Sequence, residues 1–144
     1  MANTVAIVQV LGGSRSFPIT IRRWFDLHRS IEQGLRYRAV DALHKRYGLS
    51  TDEITVLLAV PARTLARRKN EDRFRPEESD RLVRLGRIGA LAEETLGDTT
   101  RAASWLRRPN RALENQTPLS QLDTDVGTRQ VENLLLRIAH GVYS

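Results

Sequence analysis

Four cationic side chains and a hydroxyl fall within seven residues of the chain, with no carboxylate among them: Arg63, Thr64, Arg67, Arg68 and Lys69. Guanidinium groups bind phosphate oxygens in pairs and match both major-groove acceptors of guanine. This is the chemistry of nucleic-acid recognition, and these five residues are our candidates for DNA contact. The alternative is a solvated helix face that only keeps the protein soluble.

A pair of short helices would position these cations. Ser50-Thr51-Asp52-Glu53 is a capping-box sequence that starts a helix with an apolar side, and Ala59-Val60 ends it. Pro61 suits the first position of the next helix, in which Leu65 points inward. Two short helices joined by so tight a turn predict a helix-turn-helix whose second helix faces DNA.

Patterns for catalysis and metal binding are not found in the sequence. His28, His44 and His140 do not have ligand spacing, and without cysteine the chain offers no thiolate. No G-x-S-x-G nucleophile motif is present, and Gly12-Gly13 predicts a turn, since a phosphate loop needs a longer glycine-rich pattern. We therefore expect no enzymatic activity and no cofactor.

The clearest helical pattern lies near the end of the sequence. Its apolar residues recur at steps of three and four, which places them on one face: Val131, Leu134, Leu135, Ile138, Ala139 and Val142. Leu136 lies off this stripe among charged neighbours and could anchor a protein interface. We expect this end of the chain either to dock on the core or to be offered to a partner.

A longer pattern surrounds this helix, W-L-x-x-P-N-x-A-L…P-L…L-x-T-x-x-G…V…L…R-I-x-H-G-V. Residues 102–143 thereby resemble the toxin-binding domain of the Xre/MbcA/ParS-type antitoxins, which pair with RES-domain toxins. The run L-L-x-V-x-x-R-T-L-x-R-R at 57–68 is similar to the helix-turn-helix of the same family. The chain departs from the family pattern at Glu114-Asn115 and at Ala59, where glycine is common, and at Pro61, where serine often caps the helix.

The resemblance implies a type II antitoxin. In this family the C-terminal module blocks the active site of a RES-domain toxin that consumes NAD, and the DNA-binding half lets the complex repress its own operon. The resemblance places toxin contacts at the end of the last helix: Asn133, Leu136, Arg137, His140, Gly141, Val142 and Tyr143. For His140 the alternative is a favourable charge at a helix C-terminus.

Two other functions compete with this interpretation. One is a DNA-binding transcriptional regulator with a dimerising C-terminal domain and no toxin partner. The other is a structural adaptor that uses the basic helix to bind RNA or acidic proteins. A neighbouring RES-domain gene would favour the antitoxin.

We expect an all-α fold, with an N-terminal helix-turn-helix module followed by a C-terminal helical toxin-binding module. Residues 1–75 would form an N-terminal arm and the DNA-binding module, 76–97 a connecting helix and 98–144 the toxin-binding domain. In the first part, residues 5–11 suggest a single strand or an arm. Helical patterns follow over residues 20–26 and 30–47, with a break near Gly34.

Composition and charge limit the possible classes of protein and partner. The 144 residues are 28% charged and 40% hydrophobic, which fits a globular protein. Residues 1–48 hold eight Lys and Arg against three Asp and Glu, and this excess suggests a polyanionic partner. No run approaches the roughly 18 apolar residues of a membrane span, and no signal peptide is visible.

We therefore expect a soluble cytoplasmic protein. Because helix-turn-helix proteins usually bind paired half-sites as dimers, we also expect a homodimer through the N-terminal helices, within a larger toxin–antitoxin complex.

Overall fold

The computed structural model describes residues 3–141, and within them every regular element is helical. Eight α-helices occur in this range: α1 Thr4–Val10, α2 Trp24–Gln33, α3 Arg38–Tyr47, α4 Thr51–Leu58, α5 Ala62–Glu71, α6 Pro76–Leu96, α7 Thr99–Arg107 and α8 Asp125–Ala139. Short 3-10 turns lie at Ser14–Ser16, Arg111–Leu113 and Leu119–Gln121. The all-α prediction is confirmed.

Helix α6 is the element on which the others pack. Its 21 residues match the predicted span from Pro76 to Leu96, which corresponds to about 30 Å. The helix starts with proline at its first position. The Glu78 carboxylate caps this end by accepting a hydrogen bond from the Arg75 amide at 2.8 Å. Helices α1, α2, α4, α7 and α8 all contact α6. Residues from the whole chain therefore share one hydrophobic core.

Two glycines of α6 let neighbouring helices approach closely. Gly86 faces Leu11, and Gly89 faces the ring of Tyr47, where a Cβ would stand 2.3 Å from Tyr47 Oη. The Tyr47 hydroxyl donates a hydrogen bond to Glu93 at 2.5 Å, and Arg46 Nε donates to the same carboxylate at 2.8 Å. Burial by itself would raise the pKa of Glu93, but these hydrogen bonds outweigh it and hold the pKa below its usual value.

The prediction of a strand or an arm at residues 5–11 is wrong, because this segment forms α1. Asn3 caps the helix by accepting a hydrogen bond from the Ala6 amide at 2.8 Å. Ile7 and Val10 are buried in the core together with Leu11. A short apolar run fits a strand as well as a helix, and packing against α6 decides between them.

The predicted break near Gly34 is confirmed, although the predicted helix at 20–26 begins later, at Trp24. Gly34 has φ 95° and a Cβ there would lie 2.2 Å from the Phe74 carbonyl oxygen. The following residue, Leu35, donates its amide to Ser79 Oγ at 2.9 Å and accepts from the Phe74 amide at 2.9 Å. This turn therefore ties the end of α2 to the start of α6.

Replacing Gly89 by alanine should destabilise the protein, because Tyr47 cannot retreat without losing its hydrogen bond to Glu93. Overpacking a core costs about 1–3 kcal/mol, and the better helix propensity of alanine offsets up to about 1 kcal/mol. We expect a net loss of about 1–2 kcal/mol in the free energy of unfolding, measured by urea denaturation. Gly86→Ala is the comparison variant and should lose less, since its Cβ would stand 2.9 Å from Leu11 Cδ1 and 3.2 Å from Ile7 Cγ2, both longer than the 2.3 Å to Tyr47 Oη at Gly89. Equal losses in the two variants would contradict this account.

Candidate functional site

Helices α4 and α5 form the predicted helix-turn-helix. The Ser50 amide donates to Glu53 Oε1 at 2.9 Å, and the Glu53 amide donates to Ser50 Oγ at 3.1 Å, so the predicted capping box starts α4. Ala59 ends α4 in the left-handed conformation, with φ 56°. Pro61 is the N-cap residue of α5, so its own backbone angles are not helical. The sequence predicts it as the first helical residue, but Ala62 occupies that position.

The outer side of α5 carries exposed cations. Arg63, Arg67 and Lys69 are exposed, Thr64 is half-buried, and Leu65 is buried as predicted. We call Arg63, Arg67 and Lys69 the cationic face of α5. Among residues 3–141, none of these three has a carboxylate within ion-pairing distance. Their charges are therefore free to attract phosphate.

The placement of Arg68 with this exposed group is wrong. Its side chain is only 4% exposed, and its guanidinium donates to both carboxylate oxygens of Glu78, at 2.7 and 3.1 Å. A third nitrogen donates to Glu71 at 3.1 Å. With these partners the Arg68 side chain is committed inside the protein and cannot also bind a phosphate. The glutamates at the start of α6 indicate that an arginine could pair with them. The local sequence does not show which arginine is the partner.

The Arg68–Glu78 pair fixes α5 against α6. Burial by itself would raise the pKa of Glu78, but hydrogen bonds from Arg68 and the Arg75 amide outweigh it and hold the pKa below its usual value. Glu78 therefore carries a full negative charge at neutral pH. A buried ion pair tolerates the loss of one partner poorly, because the other charge is left without compensation.

The second candidate surface lies on α8. Asn133, Arg137 and His140 are exposed at a spacing of four and three residues, and the exposed Gly141 follows with φ 73°. We call these four residues the terminal face of α8. Leu136 does not project from this face as predicted, since it is half-buried and packs against the core. Val142 and Tyr143 lie outside the described residues.

Several contacts hold α8 in place. Thr124 Oγ1 accepts the Gly127 amide at 3.0 Å, and Thr128 Oγ1 donates to the Thr124 carbonyl at 2.7 Å. A side chain at Gly127 would meet the Gln121 carbonyl oxygen at 2.0 Å, so the start of the helix lies directly on the preceding turn. Arg87 of α6 pairs with Glu132 at 3.5 Å. The terminal face therefore belongs to a helix with a fixed base.

The loop before α8 closes on itself. The Asn110 amide donates to the Gln116 carbonyl at 3.0 Å, and Asn110 Oδ1 accepts the Ala112 amide at 3.0 Å. Glu114 and Asn115 both have left-handed backbones, with φ 55° and 65°. At these two positions the resemblance described above leads us to expect glycine, and the backbone is left-handed although neither residue is glycine.

Replacing Arg68 by methionine should lower the free energy of unfolding by about 3–5 kcal/mol, because Glu78 would remain buried without a cation. Arg67→Met on the exposed side of the same helix is the control and should change it by less than about 0.5 kcal/mol. Urea denaturation at neutral pH measures both. Similar losses of stability in the two variants would show that the buried Arg68–Glu78 pair is not the cause of the loss.

Acidification gives a second readout of the same pair. The folded-state pKa of Glu78 lies below its ordinary value of 4.5, so the stability from the pair is complete above that pH. It is lost as the pH falls through the lower, folded-state pKa. The difference in stability between Arg68→Met and the original protein should therefore shrink in acid.

No helix within residues 3–141 is both long enough and apolar enough to cross a bilayer. Comparison with known families gives two matches. Residues 26–87 match the antitoxin Xre-like helix-turn-helix domain, and residues 91–141 match the antitoxin Xre/MbcA/ParS C-terminal toxin-binding domain. The first match contains α4 and α5, and the second contains the terminal face of α8.

Curated relatives and a solved structure agree with these matches. The chain is 35% identical over 117 residues to an Antitoxin Xre of Yersinia enterocolitica, a match that covers 80% of this chain and 79% of the relative. It is 36% identical over 118 residues to an Antitoxin Xre of Pseudomonas putida, covering 81% and 73%. A chain from the crystal structure of the M. tuberculosis MbcT–MbcA toxin–antitoxin complex is 26% identical, with a TM-score of 0.54, over 73% of this chain and 94% of that one. The protein therefore belongs to the Xre antitoxin family, with a helix-turn-helix domain followed by a C-terminal toxin-binding domain.

Proposed function

We propose that this antitoxin neutralises a RES-domain, NAD-consuming toxin by placing the end of α8 in the toxin's active site, and that its helix-turn-helix binds the promoter of its own operon. The antitoxin acts by binding alone and catalyses no reaction. The observation that carries the proposal is the terminal face of α8, a polar exposed surface at the tip of a helix whose base is fixed on the core. In this proposal the antitoxin acts in the cytoplasm, where the operator and NAD are found.

Occlusion of an active site requires a rigid element with suitable chemistry. Helix α8 buries Val131, Leu134 and Leu135, and Arg137 in its last turn is exposed. Arg137 and His140 offer hydrogen-bond donors at that turn. Residues 140–143 continue from it, so Val142 and Tyr143 are proposed to enter the toxin's pocket with His140 and Gly141.

The cationic face of α5 is proposed to contact the operator. Arg63 and Arg67 lie one helical turn apart, with Thr64 between them, and can reach base edges or phosphates from one side of the helix. Lys69 lies farther along α5, with Nζ 6.0 Å from the centre of the Tyr37 ring, and is suited to a phosphate contact. Arg68 has no DNA contact in this proposal and serves to hold α5 in position.

A homodimer is proposed to form through α2. Trp24 and Phe25 of this helix are 53% and 52% exposed, which is unusual for large apolar side chains next to each other. The guanidinium of Arg29 lies 4.8 Å from the centre of the Phe25 ring and that of Arg23 lies 5.8 Å from it. A dimer would present two α5 helices to half-sites about 34 Å apart.

Truncation after Ala139 should abolish neutralisation while leaving the fold and operator binding intact. The removed residues follow Ala139, the last residue of α8, in the sequence. We expect the affinity for the toxin to fall by at least about 30-fold, the size of a hot-spot loss. Growth of cells that express both proteins, and their NAD content, measure neutralisation. Arg129→Ala, on the exposed base of α8, is the control. Full protection by the truncated protein would refute the occlusion mechanism.

Replacing both Arg63 and Arg67 by alanine should weaken operator binding without changing toxin neutralisation. Each bidentate base contact contributes about 1–3 kcal/mol, so the double variant should bind at least about tenfold more weakly. Fluorescence anisotropy with a labelled promoter fragment measures the affinity at two salt concentrations. The Arg129→Ala variant should bind as the original protein does. Unchanged affinity in the double variant would exclude α5 as the DNA-contacting helix.

A further inference from the structure

A surface depression of about 660 Å³ does not belong to either candidate surface. It lies between the end of α6, the outer side of α7 and the start of the loop that follows α7. Its principal lining residues are Leu96, Arg101, Trp105, Arg108, Pro109 and Arg111. The family pattern includes Trp105 and Pro109, but the arginines at 101, 108 and 111 are not part of it.

The rim of this depression is cationic. Three guanidinium groups converge on it, and none of the residues that line it carries a carboxylate. Arg108 is held along α7, since its Nε and Nη2 donate to Ser104 Oγ at 3.0 and 2.7 Å. Arg111 has no ion-pair or hydrogen-bond partner for its side chain within residues 3–141. The depression therefore offers charge that the protein itself does not neutralise.

Asp98 does not cancel this charge. Its carboxylate lies 3.8 Å from Arg101 Nε, but it also caps α7 by accepting the Arg101 amide at 2.7 Å. The Arg101 side chain remains 74% exposed. The exposed guanidinium can bind a second carboxylate, while Asp98 keeps its hydrogen bond from the Arg101 amide.

The floor of the depression is apolar. Leu96 and Trp105 are half-buried and pack against the core, and Pro109 continues the floor. An apolar floor with guanidinium groups at its rim suits a segment that carries both an apolar side chain and carboxylates. Arginine is favoured at such places because its planar group binds a carboxylate through two parallel hydrogen bonds.

Two of the elements that form the depression also contact α8. Arg84 of α6 donates to the Leu122 carbonyl, just before α8, at 3.1 Å, and Arg87 pairs with Glu132 farther along α8. Helix α8 is therefore held on α6, the helix whose last residue, Leu96, lines the depression. The 3-10 turn that contains Arg111 also contacts α8.

We propose that this depression is a second toxin-binding site, which receives an acidic segment of the toxin beside the active site that α8 occludes. The inference rests on the proposed neutralisation of a RES-domain toxin and deepens it. The terminal face of α8 supplies the inhibition, whereas the arginine-lined depression supplies electrostatic steering and anchoring. Charged residues at the edge of an interface act mainly on the association rate and on its salt dependence.

The test compares two charge-reversed variants of the full chain. Arg101→Glu/Arg111→Glu changes the depression, and Lys45→Glu/Arg129→Glu makes the same change of net charge at exposed positions elsewhere. Binding to the purified RES-domain toxin of the same operon is measured by surface plasmon resonance at two salt concentrations. Operator binding and the midpoint of thermal unfolding are measured for every variant.

We expect the depression variant to bind the toxin at least about tenfold more weakly, with slower association and a flatter salt dependence. The control variant should bind the toxin within about twofold of the original protein, and both variants should keep operator binding and thermal stability. Equal toxin affinity in the two variants would overturn the second site while leaving the proposed function in place. Loss of operator affinity instead would assign the depression to DNA. Failure of the original protein to bind the toxin would refute the proposed function together with this inference.

Discussion

Helix α6 must be buried on several sides at once, and this constraint organises the molecule. Its two glycines let Leu11 and Tyr47 approach so closely that an added Cβ would stand 2.9 Å from Leu11 Cδ1 and 2.3 Å from Tyr47 Oη. Its two buried or half-buried carboxylates lie near opposite ends, where Glu78 binds Arg68 and Glu93 binds Arg46 and Tyr47. Ionised carboxylates in such places need full compensation by cations and hydrogen bonds. The helix is therefore locked to α5 near its start and to α3 near its end.

The same helix joins the two binding domains of the antitoxin. Through Glu78 it holds the helix that carries Arg63 and Arg67, and through Arg84 and Arg87 it holds the base of α8. Its residues also form part of a single hydrophobic core that extends from α1 to α8. The helix-turn-helix domain and the toxin-binding domain are thus packed on one element, which keeps the terminal face of α8 at a fixed place relative to α5.

Non-glycine residues occupy left-handed positions that glycine adopts most easily. Ala59 ends α4 with φ 56°, and Glu114 and Asn115 turn the loop before α8 with φ 55° and 65°. Such a conformation costs a residue with a Cβ about 1–2 kcal/mol. Hydrogen bonds offset part of this cost, for example from the Asn115 amide to the Asn110 carbonyl at 2.9 Å. The backbone course is therefore kept by the packing around it and not by local preference.

Local sequence alone determined the elements whose causes are local. The capping box at Ser50, the proline that opens α6 and the apolar stripe of α8 act within a few residues, and each led to the helix that is observed. The family pattern around Trp105 likewise identified the toxin-binding domain. Tertiary structure decided the helical state of α1, the burial of Arg68, the half-burial of Leu136 and the convergence of Arg101, Arg108 and Arg111. In each of these cases the deciding partner comes from another element of the fold, and neither composition nor periodicity records which side chains meet.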